Sequence, residues 1–272
     1  DLDSSLDNPG PEDDVHMGRE AFLCVDCHAA PNHDIRGRAF SVSVDNDNNV
    51  ACEDCHTKPP HQDQRLNGHL DALSCQACHI PAYARKLPTK TFWDWSKGGD
   101  PSRQDDPHHY LRIKGEFVYN HDMQPQYFWF DKSVDRYLLD DPIDPDAVTA
   151  INRPRGNIHN PAARIWPFRI HRALQPYDTR RNVLLPPILS GEGGYWHEFD
   201  WPKALSLGAK AAGMAFSGEF GFANTAMYWP LSHMVMPREN TLRCTDCHED
   251  GGRMDWKALG YEGDPVVTGG RR

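Results

Sequence analysis

Apolar residues in this 272-residue chain come in short, mostly aromatic bursts rather than in long periodic runs. Phe92-Trp93-Asp94-Trp95, Tyr127-Phe128-Trp129-Phe130, Trp166-Pro167-Phe168, Tyr195-Trp196, Trp201 and Tyr228-Trp229 all fall between residues 91 and 240. Phe117-Val118-Tyr119 and Tyr127-Phe128-Trp129-Phe130 have the aromatic and β-branched make-up of short strands. They predict a hairpin around Asp122-Met123-Gln124-Pro125. Residues 203–213, Ala- and Leu-rich, predict a helix that starts after Asp200-Trp201-Pro202 and stops at Gly213. Asn67-Gly68 and Pro81 predict turns, and the Asp-Pro pairs at 106–107, 141–142 and 144–145 predict ordered loops. No apolar run approaches the ~20 residues that span a bilayer.

Hydrophobic residues make up 39% of the chain, below the roughly 45–50% of a typical globular domain. Something other than side chains must then fill the core. The cysteines show what it is. All eight lie in four copies of Cys-x-x-Cys-His: Cys24, Cys27 and His28; Cys52, Cys55 and His56; Cys75, Cys78 and His79; Cys244, Cys247 and His248. This is the attachment signature of haem c. The two thiols add to the vinyl groups, and the following histidine becomes the proximal iron ligand. No thiol is left over for a disulfide, a zinc site or a nucleophile. Four covalently bound haem c groups are expected, one for every 68 residues (272/4). The expected fold is a multihaem cytochrome c: mainly short α-helices, one carrying each motif, and irregular chain packed on four haems, with minor β.

The motifs divide the chain. Residues 1–15 form an acidic N-terminal arm, expected to be flexible. Residues 16–90 form a three-haem segment, 91–240 a haem-free aromatic-rich segment, and 241–272 the fourth-haem segment, all expected to make one unit centred on the cofactors. The formal net charge is -10, and haem propionates would add to it. A nucleic-acid partner is excluded on that account, since phosphate binding needs a basic footprint. There is no transmembrane segment. Haem c is attached outside the cytoplasmic membrane, so the expected location is periplasmic or extracellular, with an export signal already removed.

A low-spin haem needs a second axial ligand. Eleven histidines lie outside the motifs. His33 and His61 each follow a proximal histidine by five residues, His69 sits six before Cys75, and His16 eight before Cys24. Five residues extend at most ~17 Å, too little slack to pass around a porphyrin edge easily. His33 and His61 are thus expected to serve a neighbouring haem. His171 and His233 lie in aromatic stretches that would bury them. The candidate distal ligands are His16, His33, His61, His69, His171 and His233, more than four irons need. Met234 and Met236, beside His233, are alternatives that would raise the potential.

These stretches resemble the octahaem tetrathionate reductase family. The resemblance runs through Cys75-Gln76-Ala77-Cys78-His79-Ile80-Pro81 to Phe92-Trp93-Asp94-Trp95-Ser96-Lys97, then Asn160-Pro161-Ala162-Ala163-Arg164-Ile165-Trp166-Pro167, His171 and Gln175-Pro176-Tyr177-Asp178. It continues at Phe216-Ser217-Gly218-Glu219-Phe220-Gly221-Phe222, Met227-Tyr228-Trp229-Pro230-Leu231-Ser232-His233, and the fourth motif with Gly252-Arg253-Met254-Asp255-Trp256. The chain looks like the family's C-terminal four-haem half. The resemblance implies haem-ligand roles for His33, His61, His69, His171 and His233. It also implies that the family's catalytic haem, with its lysine ligand, belongs to the other half.

The function expected is electron transfer through closely spaced bis-histidine haems. The partners would be other haem-bearing redox proteins, or identical subunits that donate a histidine to each other's haem in an extracellular conducting filament. The alternative is a periplasmic reductase, or reductase subunit, of sulfur or nitrogen oxyanions. Asp45-Asn46-Asp47-Asn48-Asn49 opens like a calcium loop, but Val50 replaces the required glycine and His56 the closing carboxylate, so a polar turn is expected. Arg164, Arg169, Arg172, Arg180 and Arg181 are candidate partners for haem propionates.

Overall fold

A computed structural model describes residues 3–40, 43 and 48–271. Its helices are α1 (Cys24–Cys27), α2 (Gln64–Gly68), α3 (Cys75–His79), α4 (Tyr195–Glu198), α5 (Trp201–Ala211), α6 (Cys244–His248) and α7 (Pro265–Thr268). Its strands are β1 (Thr89–Asp94), β2 (Tyr110–Leu111), β3 (Gly115–Asn120), β4 (Gln126–Phe130), β5 (Val134–Arg136), β6 (Thr149–Pro154), β7 (Arg164–Asp178), β8 (Val183–Leu184) and β9 (Phe220–Pro230).

The expectation of minor β is overturned. The nine strands form one mixed sheet in the order β2-β3-β1-β7-β9-β6-β5, with β4 and β8 also on β7. β7 is the spine. One of its edges pairs with β9 from Phe168 to Asp178, and the other takes β4, β1 and β8 in succession. β1 and β6 run parallel to their partners β7 and β9. The aromatic bursts are strand segments, their rings packed edge-to-face: Phe130 lies 5.7 Å from Trp166 and 5.3 Å from Phe168. Pro167 and Pro176 within β7 are residues that argue against a central strand, which is why the sequence reads as fragments.

The expected hairpin does not form. β3 pairs with β1 and β2, and β4 pairs with β7. The connection between them is occupied by Met123, which exchanges backbone hydrogen bonds with Tyr83. Asn67 and Gly68 end the short helix α2 rather than making a free turn. The expected helix is present as α5. The Asp200 side chain accepts from the Lys203 amide, Pro202 sits in the first turn, and Gly213 follows at φ +70°. Ala204, Leu205, Gly208 and Ala209 form its buried stripe.

Among the described residues, the acidic N-terminal segment packs against the rest of the protein. Ser5 and Leu6 are buried. Asp14, only 5% exposed, accepts from four backbone amides: His16 and Met17 on Oδ1, Met234 and Val235 on Oδ2. Residues 45–47 of the polar-turn reading lie outside the described residues.

Candidate haem sites

Cys-x-x-Cys-His is folded alike at three of its four places. α1, α3 and α6 each begin on the first cysteine, and a 3-10 turn, Cys52–Asp54, carries the remaining copy. One helical turn puts residues i, i+3 and i+4 on one face, so two thiols and an imidazole converge on one haem edge. The start of each turn is capped. Asp26, Asp54 and Asp246, between the cysteines, accept from the Leu23, Ala51 and Arg243 amides, and Ser74 accepts from the Ala77 amide. In motif order these are sites I to IV.

Each motif histidine faces a second histidine. Ring centres are 6.1 Å apart for His28 and His233, 6.1 Å for His56 and His16, 6.2 Å for His79 and His61, and 6.1 Å for His248 and His69. A metal–imidazole bond is about 2.0–2.1 Å and a ring centre lies roughly 1.1 Å behind its nitrogen, so one iron held between two imidazoles sets the centres about 6.2 Å apart. The donor set thus fits a haem iron at all four places. His61 faces the next motif in the chain, not its own.

The supporting atoms orient the rings. His28 Nδ1 lies 2.6 Å from the Arg36 carbonyl, His69 Nδ1 2.8 Å from the Arg65 carbonyl, and His248 Nδ1 2.7 Å from Asp264 Oδ1. Gly37, at φ +87°, lets the loop close on His28: a Cβ there would stand 2.6 Å from the imidazole. Burial pushes His233 down to about 4, with His28 adding to the effect, and burial followed by the neighbouring His61 lowers His79. Both rings are held neutral, as ligation requires.

Among the described residues, the ring contacts of the motif histidines with other histidines do not include His33 or His171. His33 is exposed, at φ +66°. His171 is half-buried 6.5 Å from Trp93, beside Lys90, whose ammonium stands 4.1 Å over the Trp93 ring. Met234 is buried against the Asp14 loop, its amide bonded to that carboxylate. Four of the five clustered arginines are engaged within the protein. Arg164 donates to the Leu70 and Pro161 carbonyls, Arg169 to Lys90, Arg180 to Glu219 and Arg181 to Asp140.

The cysteines also set an order. Cys27 of site I lies near Cys55 of site II. Cys52 of site II is within thiol hydrogen-bonding reach of Cys75 of site III. Cys78 of site III lies near Cys247 and Cys244 of site IV. Thiols of successive motifs thus lie within electrostatic reach of one another, I to II, II to III and III to IV. Ala77, Trp129, Ile165, Cys247 and Met254 share one core cluster, which welds sites III and IV to the sheet.

A family model described as bacterial cytochrome c matches residues 90–251, more than half of the chain. The chain belongs to the bacterial cytochrome c family. A second family model, cytochrome c554 and c-prime, matches residues 10–57 of this cytochrome. A crystal structure of the octahaem cytochrome c from Shewanella oneidensis superimposes with a TM-score of 0.91 at 42% identity, over 97% of this chain and 64% of that one. The cytochrome therefore spans less than two thirds of that protein's length. It is a multihaem c-type cytochrome with covalently bound haem c, and the resemblance to the octahaem tetrathionate reductase family holds. No curated protein matches it. Among the described residues, no helix is long and apolar enough to cross a membrane.

Asp14, Asp264 and the Arg36 carbonyl were not among the residues singled out from sequence. Asp14, two residues before His16, carried a readable signal as a helix-capping type. Asp264 lies sixteen residues beyond His248 and carried none.

Proposed function

We propose that the chain is an exported electron-transfer protein that holds four haem c groups in linear succession, each with two histidine ligands. His28, His56, His79 and His248 are the proximal ligands, and His233, His16, His61 and His69 the distal ones. One observation carries the reading: every motif histidine has a second imidazole at 6.1–6.2 Å, so an iron held by both rings would have no position open to a substrate. When bound, each haem supplies a one-electron Fe(III)/Fe(II) couple. The chain's own residues fix the couples. Thioether pairs from successive motifs hold neighbouring sites edge to edge, and paired imidazoles saturate the irons. The sheet, through Trp129, Ile165 and Met254, keeps the spacing rigid.

The partners are other redox proteins of the periplasm or the cell exterior. Exchange of a histidine between identical subunits, the coordination that would lock a filament, finds no open iron here. Of the six candidate distal ligands, His33 and His171 are left over, and a haem that either of them ligates must be carried elsewhere. The reductase reading requires one haem with an open face. Carbon monoxide added to the reduced holoprotein, and cyanide to the oxidised one, separate the two. Electron transfer predicts four haems by mass and no change in the haem spectrum. A stoichiometric carbon monoxide or cyanide complex at one haem would establish the enzyme instead.

A further inference from the structure

Site IV differs from the others in what its proximal histidine touches. Among the described residues, His248 is the one motif histidine whose ring bonds a carboxylate, Asp264 Oδ1 at 2.7 Å. His28 uses a neutral carbonyl at the same ring position. Among the other paired histidines, the one carboxylate contact in the described residues is that of Asp14, 3.9 Å from His16 Nδ1, and that oxygen already accepts two backbone amides.

The contact is built rather than incidental. Asp264 begins α7, and the same Oδ1 accepts from the Val266 amide at 2.9 Å. Trp256 stacks on the His248 ring, 5.5 Å between centres and 15° between planes. The imidazole is thus fixed in tilt by Trp256 and in rotation by Asp264. The His248 and Asp264 side chains are largely shielded, at 17% and 24% exposure, so water screens the charge only in part. Trp256 packs in turn against Tyr261, in the cluster that carries Cys247.

We propose that Asp264 is a positioning residue that sets site IV below the other three in reduction potential. The inference rests on the reading of His248 and His69 as the iron ligands of that site. With its Nε2 on iron, His248 carries the proton on Nδ1 and donates it to the carboxylate. A charge-assisted bond of this kind is stronger than one to a carbonyl, and it raises the basicity of the ligating nitrogen. A more basic imidazole favours Fe(III) over Fe(II), because the ferric centre carries one more positive charge. The step is Fe(III) plus one electron to Fe(II). No proton moves, and Nδ1 keeps its hydrogen in both states. Because site IV stands at one end of the succession, the device gives the row a polarity, with electrons favoured to leave IV for III.

The test is a potentiometric titration of the holoprotein, wild type against Asp264→Asn and Asp264→Ser. Both replacements keep a side-chain acceptor for the first turn of α7 and remove the charge. His69→Met identifies the step belonging to site IV, since histidine–methionine ligation raises a haem potential. In both Asp264 variants that same step, the lowest in wild type, should move positive by a tenfold change in ferric preference, about 59 mV for one electron. The other three should stay in place. The proposal is overturned if that step does not move in either variant, or if all four steps move together. Should His69→Met shift no step at all, the ligand assignment itself has failed, and the proposal falls with it.

Discussion

Replacing Asp14 with alanine should loosen two haem sites at once, although Asp14 touches no iron. Its carboxylate joins the turn that carries His16 to the loop that carries His233. Asp14→Ala strands the Met234 and Val235 amides, and Met234 is only 2% exposed. A buried donor left without a partner costs about 1–3 kcal/mol. The His16 and Met17 amides lie at a helical N-terminus that water reaches, so their loss is that of a cap, about 0.5–2 kcal/mol. Relief of the buried charge offsets part of this, leaving a destabilisation of about 3–5 kcal/mol, a large share of the 5–15 kcal/mol that holds a domain together. Guanidinium unfolding followed by circular dichroism would measure it. Visible spectra through the same titration should show high-spin character arising first at two of four haems, sites I and II. Asp14→Asn keeps one acceptor oxygen and should recover about half of the loss. An Asp14→Ala protein that unfolds at the wild-type midpoint, with all haems low-spin up to the transition, would refute the reasoning.

Two further outcomes follow from the same geometry. Burial pushes His171 from its ordinary 6.5 down to about 4, with Arg169 and Lys90 adding to the effect. The unfolded chain therefore binds the proton first, and stability contributed by the neutral ring is present above pH 6.5 and lost as pH falls towards 4. His171→Gln should flatten the acid limb of a melting-temperature profile over that window; an unchanged limb would mean that His171 is solvated. Gly37→Ala places a Cβ 2.6 Å from the His28 ring at φ +87°, and should lower thermal stability by at least the roughly 1 kcal/mol of a left-handed non-glycine residue, with spectral change confined to one haem.

The kind of covalent chemistry, haem c on a cytochrome, was legible in the sequence, because a haem edge requires its thiols and histidine contiguous in the chain. The distal side was legible only as a surplus, because imidazoles that meet across an iron need no sequence proximity. His33 and His61 stand at the same offset from their motifs, yet only His61 faces a motif histidine, His79. His171 sits among aromatics as expected, but they belong to the sheet: Trp93 lies on β1, one strand over. The sheet itself was hidden by Pro167 and Pro176 in β7 and by pairing partners about fifty residues apart, such as Ala173 with Thr225. α5 was readable because its cap, first-turn proline and stop are local.

Electron paramagnetic resonance of the oxidised holoprotein, with spins counted against haem, decides whether the four imidazole pairs are four iron sites. The account predicts four low-spin ferric centres per chain and no high-spin signal. It also predicts two spectral classes. The ring planes are close to parallel at sites III and I, 5° and 25°, and steeply crossed at sites II and IV, 65° and 56°. Sites III and I should give ordinary rhombic spectra, and sites II and IV the strongly anisotropic, large-g signals of crossed imidazoles. One full high-spin equivalent per chain would contradict the account, because it would mean that an iron has lost, or never had, its second histidine.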